Sequence, residues 1–289
     1  MTTRVTHVRN NRRTRRVMLL CGSAVVGVVS TSNAHDFWII PDLFDVSADA
    51  TIQVSGRSGT RFPNGTAVQP ARVTDARVIG ANLEMKITGM AVEGTSLRLH
   101  QKPATAGQYL IAVALTPRTT RATRAGLLRF LQLEGGASEA ARLEQENAFA
   151  GQDSLSYTSG SFAFTVVQFG NGGLKAFSKS AGFPLEFAPV NDPAHLHLGD
   201  TLHVTIMGNG KPAPNIGVFA GPAADTGAAA APQPDLTLTA DANGVVHVPL
   251  GKAGPWNLRA AFVYRRPGAA ANEWEVARST YVFGVSASR

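Results

Sequence analysis

The chain has 289 residues, 27 lysines and arginines against 20 acids, 44% hydrophobic residues and a single cysteine, Cys21. Six arginines precede residue 17 with no acid among them, so residues 35–289 carry 21 basic against 20 acidic side chains. That balance excludes a basic nucleic-acid face. With no cysteine after residue 34, disulfides and thiol catalysis are excluded there, and a metal site must use nitrogen and oxygen ligands.

The first 34 residues read as a cleaved export signal. Arg4 to Arg16 form a basic region, Val17 to Val29 a short apolar stretch, and Ser32-Asn33-Ala34 a small-residue cleavage site. Thr14-Arg15-Arg16-Val17-Met18-Leu19 resembles a twin-arginine pattern, so the expected route to the periplasm is either the general secretory or the twin-arginine pathway. No later stretch is apolar enough to span a membrane. Cleavage after Ala34 would make His35 the first residue, with an α-amine and an imidazole on one side of one residue, a pair able to chelate a metal.

Short alternating segments follow, set between glycine and proline turns. Phe37, Trp38, Ile39 and Ile40 predict a first strand that docks the new N-terminus. Residues 50–55, 82–88, 95–100, 108–115 and 162–169 predict further strands. Between them, residues 121–149 predict two short helices around Gly135-Gly136. From Leu185, strands are predicted at 185–189, 201–207, 211–219, 245–250, 254–263 and 279–284, with a flexible Ala/Gly/Pro-rich loop at 221–234. The expected fold is all-β: two β-sandwich domains, an N-terminal one over 35–184 with the helical insertion, and an immunoglobulin- or transthyretin-like one over 185–289.

Several of these segments resemble the DUF4198 family: Ala34-His-Asp-Phe-Trp-Ile39, Gly59-Thr-Arg-Phe-Pro63, Pro184-Leu-Glu-Phe-Ala-Pro189, Leu198-Gly-Asp-Thr-Leu202, Asp241-Ala-Asn-Gly244 and Gly254-Pro-Trp-Asn-Leu-Arg259. The resemblance covers most of residues 35–289. It implies an exported bacterial protein associated with the periplasmic component of nickel uptake (NikM-like). The strand after Gly254-Pro-Trp256 lacks a histidine that members often carry there.

Histidines hold most of the candidate chemistry. His195 and His197 are two apart, so an extended strand would aim both imidazoles to one face. Joined to the amine and ring of His35, they would give a nitrogen-rich site suited to Ni(II) or Cu(II), with Asp36 as an oxygen ligand or a hydrogen-bond support. His203 reads as an exposed residue on the polar side of its strand and His247 as a sheet-face residue, neither as a ligand. No nucleophile elbow, phosphate-binding lysine loop or zinc-protease helix is present. The expected function is non-catalytic divalent-metal binding as an accessory or carrier in metal uptake, with a membrane transporter or another envelope protein as partner. The alternatives are a metal-free sandwich that binds an envelope protein or glycan, and a copper-dependent oxidase using His35.

Overall fold

The computed structural model describes residues 1–2, 35–224 and 236–287. Contacts divide the chain into Met1–Asn33 and Ala34–Arg289. Apart from Met1 and Thr2, the expected leader and its cleavage bond lie outside the described residues.

Nine strands come first: β1 (Asp36–Pro41), β2 (Asp45–Val46), β3 (Ile52–Arg61), β4 (Asn64–Ala67), β5 (Val73–Ile79), β6 (Glu84–Lys86), β7 (Gly89–Glu93), β8 (Ser96–Gln101) and β9 (Gly107–Thr123). Two helices follow, α1 (Arg124–Leu133) and α2 (Ala137–Gln145). The chain then forms β10 (Ser154–Phe169), β11 (Leu185–Pro189), β12 (Thr201–Gly208), β13 (Lys211–Pro212), β14 (Gly217–Pro222), β15 (Leu236–Thr239), β16 (Val245–Pro249), β17 (Gly254–Tyr264) and β18 (Glu273–Val285). The loop expected over 221–234 starts inside β14, and from residue 225 it lies outside the described residues.

Three sheets stack around a shared middle layer. The nine-stranded sheet runs β15-β14-β17-β18-β10-β9-β5-β6, with β2 added beside β10. Strands from either side of residue 185 meet in it, because β10 pairs in parallel with β18. Along β9 the side chains alternate between two cores: Tyr109, Ile111 and Val113 face one, and Leu110, Ala112 and Ala114 face the other. A strand buried on both faces reads as a continuous apolar run, which is what Tyr109 to Leu115 is. The five-stranded sheet β1-β3-β8-β7, with β4 on β3, covers the first core. The sheet of β11, β12, β13 and β16 covers the second through Phe187, Leu202, Val204, Ile206 and Val246. The expected all-β sandwich architecture is therefore present, with the two sandwiches built on one common sheet.

The helical pair fills the part of the middle sheet that β1 leaves bare. Thr123 caps α1 by accepting a hydrogen bond from the Gly126 amide at 3.1 Å. Leu127, Leu128 and Leu131 from α1 and Ala140 and Leu143 from α2 pack on Ala261, Val263, Trp274 and Val276. Full burial of each leucine contributes about 1.5–3 kcal/mol. Glu139 is buried and ties α2 to β17, accepting from the Val263 amide at 2.9 Å and from Arg142 Nε at 2.9 Å. Gly135, between the helices, has φ +81°, and a Cβ there would come within 3.0 Å of the Phe219 ring. The glycine break expected from the sequence is thus required both by the backbone conformation and by close approach.

Candidate functional site

β1 crosses over β10 and β18 and fixes the start of the compact unit. Thr280 Oγ1 donates to the Phe37 carbonyl at 2.7 Å, and Arg278 Nη1 reaches the His35 carbonyl at 3.4 Å. Asp36 pairs with Arg259, Oδ2 to Nη1, at 3.0 Å. Behind them Glu134, 2% exposed in its side chain, closes on Arg278 at 2.5 Å. Burial pushes the Glu134 carboxyl above its ordinary value and Asp36 adds to the rise, while Arg278 and Arg259 pull it down. Asp36 is thus engaged as an arginine partner at the mouth of a charged cluster.

His195 and His197 do not sit side by side on a strand. Asp192 caps a 3-10 turn, Pro193–His195, by accepting from the Ala194 amide at 3.0 Å, and His197 makes one isolated parallel bridge to Ser286. Pro193 at the first turn position explains the departure, since it presets a helical φ. Each imidazole then has its own carboxylate: His195 Nδ1 lies 3.1 Å from Asp192 Oδ2, and His197 Nδ1 lies 3.5 Å from Asp200 Oδ2. His195 lines a cleft of about 520 Å³ with Ile40, Asp42, Phe283 and Ser286, at the far end of β1. The six residues of β1, roughly 20 Å of strand, separate that cleft from His35. Of the four expected ligands, His35 and Asp36 are adjacent and His195 and His197 are near neighbours, but the two pairs are not brought together. Among the described residues no group of three or more His, Cys, Asp or Glu is placed to hold an ion.

A different pair of histidines is in contact. β12 and β16 alternate, so Leu202, Val204, Val246 and Val248 enter the core and the residues between them face outward. The antiparallel register sets His203 directly opposite His247. Their Nδ1 atoms are 2.6 Å apart, with ring centroids at 4.7 Å and planes at 80°. At that separation one ring donates and the other accepts. The His203 backbone is held by its amide donating to Asn191 Oδ1 at 2.8 Å and by its carbonyl accepting from the Val190 amide at 2.8 Å. Asp241 stands close enough to His247 to interact electrostatically. Its pKa is lowered chiefly by the Val245 amide, with smaller contributions from Asn243 and His247. Two imidazole nitrogens on one divalent ion, with bonds of about 2.0–2.1 Å near a right angle, stand about 2.9 Å apart, so a small ring movement would admit an ion. Alternation places each histidine outward; their pairing, 44 residues apart in sequence, depends on strand register.

The fold and these side chains define an all-β sandwich protein with an exposed cross-strand imidazole pair. The family profile described as "Domain of unknown function (DUF4198)" matches residues 32–263, and the chain belongs to that family. No curated protein matches it. Among solved structures it is similar to the D0–D1 domain of intimin, at 13% identity over 86% of this chain and 97% of that one, with a TM-score of 0.19. It is also similar to murine CEACAM1b, at 11% identity over 87% and 100% with a TM-score of 0.20. A third is the Yersinia pseudotuberculosis adhesin InvE, at 14% identity over 86% and 58% with a TM-score of 0.19.

Proposed function

We propose that this is an exported, periplasmic protein that binds a divalent transition metal, Ni(II) or Cu(II), as a non-catalytic accessory or carrier in metal uptake. The observation that carries this reading is the His203–His247 contact, with two Nδ1 atoms converging at 2.6 Å on an outward sheet face. Neutral imidazole suits nickel and copper. Two protein nitrogens leave the remaining coordination positions open, which suits an ion that is taken up and handed on to an envelope partner.

The same reading makes His35 an anchor of β1 and not the metal's main ligand. Arg278 reaches its carbonyl, and the neighbouring Asp36 carboxylate is already engaged by Arg259. Export is supported by the basic, apolar and small-residue order of the first 34 residues. Among the described residues no helix is long and apolar enough to cross a membrane.

Native mass spectrometry of residues 35–289 titrated with Ni(II) and Cu(II) tests this. The expected result is one ion at micromolar metal, lost in His203→Ala and in His247→Ala and kept in His35→Ala. An ion retained by the His203→Ala/His247→Ala protein would overturn the assignment.

A further inference from the structure

A second group of like charges lies where the turn Pro70–Arg72 meets β9, β10 and β18, and of it the metal reading uses only Arg278. Arg72 ends the 3-10 turn Pro70–Arg72. Its Nη2 donates to the Thr116 carbonyl at 3.4 Å, and Thr116 Oγ1 donates back to the Arg72 carbonyl at 3.0 Å. Two residues on, Arg118 stands opposite Ser159 in the β9–β10 register, beside an irregularity between Ser159 and Ser161. Ser159 Oγ accepts from Arg278 Nε at 3.1 Å, and Ser161 Oγ accepts from Arg278 Nη2 at 2.8 Å. Three arginines therefore meet around Thr116, Ser159 and Ser161, Arg72 and Arg278 by side-chain hydrogen bonds and Arg118 by strand register.

Their charges are not balanced. Glu134 pairs with Arg278. Among the described residues, neither Arg72 nor Arg118 has an ion-pair partner. The crowding registers on Arg72, whose pKa is lowered by burial and then by Arg118 and Arg278. A bulge in a ladder commonly re-aims side chains beside a binding site. Guanidinium forks match the oxygens of a tetrahedral oxyanion, and two of them without a carboxylate partner favour phosphate over a neutral ligand.

We propose that Arg72 and Arg118, backed by Arg278, form a binding site for a phosphate-type oxyanion, independent of the histidine pair. The group can be free phosphate or the phosphate of a lipid headgroup, and the chemistry at the arginines is the same.

Isothermal titration of residues 35–289 with inorganic phosphate at fixed ionic strength is the first arm. Sedimentation with vesicles containing phosphatidylglycerol, against neutral phosphatidylcholine vesicles, is the second. The proposal expects saturable binding in at least one arm, weakened at least tenfold by Arg118→Gln. That residue is exposed, so an unchanged melting temperature checks that the variant folds. Binding in the first arm alone identifies free phosphate as the source, and binding confined to the charged vesicles identifies a headgroup. No saturable binding in either arm, or binding unaltered in Arg118→Gln, would overturn it.

Discussion

Glu134, at the end of α1, and Arg278, in the middle of β18, form an ion pair of 2.5 Å with 2% and 18% of their side chains exposed. It locks the helical pair to the middle sheet at the point where β1 begins. Removing one member of such a pair strands the other charge in a poor solvent, at a cost of about 3–5 kcal/mol.

Arg278→Met is therefore expected to lose about that much stability at pH 7. The pH dependence has a definite sign. A carboxyl whose folded pKa is raised gives stability that is full below its ordinary value, 4.5 for Glu134, and lost as pH rises through the folded value. Without Arg278 that folded value climbs further, so the deficit against wild type should be largest at neutral pH and shrink toward pH 4. Urea unfolding at several pH values measures it. A deficit that is constant with pH would contradict the stranded-carboxylate account.

Asp192 carries the opposite sign. Burial alone would raise its carboxyl, but the Ala194 amide, Gln108 and Lys175 outweigh burial and lower it below the ordinary 3.8. Its contribution is present above 3.8 and lost as pH falls through the lowered folded value. Asp192→Asn should cost about 1.5–3 kcal/mol at pH 7, with the difference from wild type narrowing below pH 3.8. Denaturation midpoints across that range are the check.

Gly135→Ala should cost about 1–2 kcal/mol, because φ is +81° and the new methyl would crowd the Phe219 ring. The urea midpoint should fall with an unchanged slope. A neutral effect would mean that the helix junction relaxes freely.

These elements also show what could be read from the chain and what could not. β12 was legible because Leu202, Val204 and Ile206 alternate with polar residues, and the helical pair because leucines flank Gly135-Gly136. The outer half of β9 was not: Thr116 to Thr123 is a polar, exposed extension held by pairing with β10, with no apolar period to signal it. The shared sheet depends on the parallel pairing of β10 with β18, a long-range contact that local pattern does not encode. His195 and His197 do not share an extended strand because Asp192 and Pro193 close a turn there. His203 and His247 were each placed outward, but only the register between β12 and β16 makes them a pair.

The most direct test of the metal assignment follows the six histidines of residues 35–289 one by one. Ring proton–carbon resonances are recorded by NMR during a substoichiometric Ni(II) or Cu(II) titration, since a paramagnetic ion broadens the signals of the rings that bind it. The account predicts that the signals of His203 and His247 vanish first and together, while those of His100 and His195 persist. Selective loss of His35 with His195 or His197, and sharp signals from His203 and His247, would contradict it.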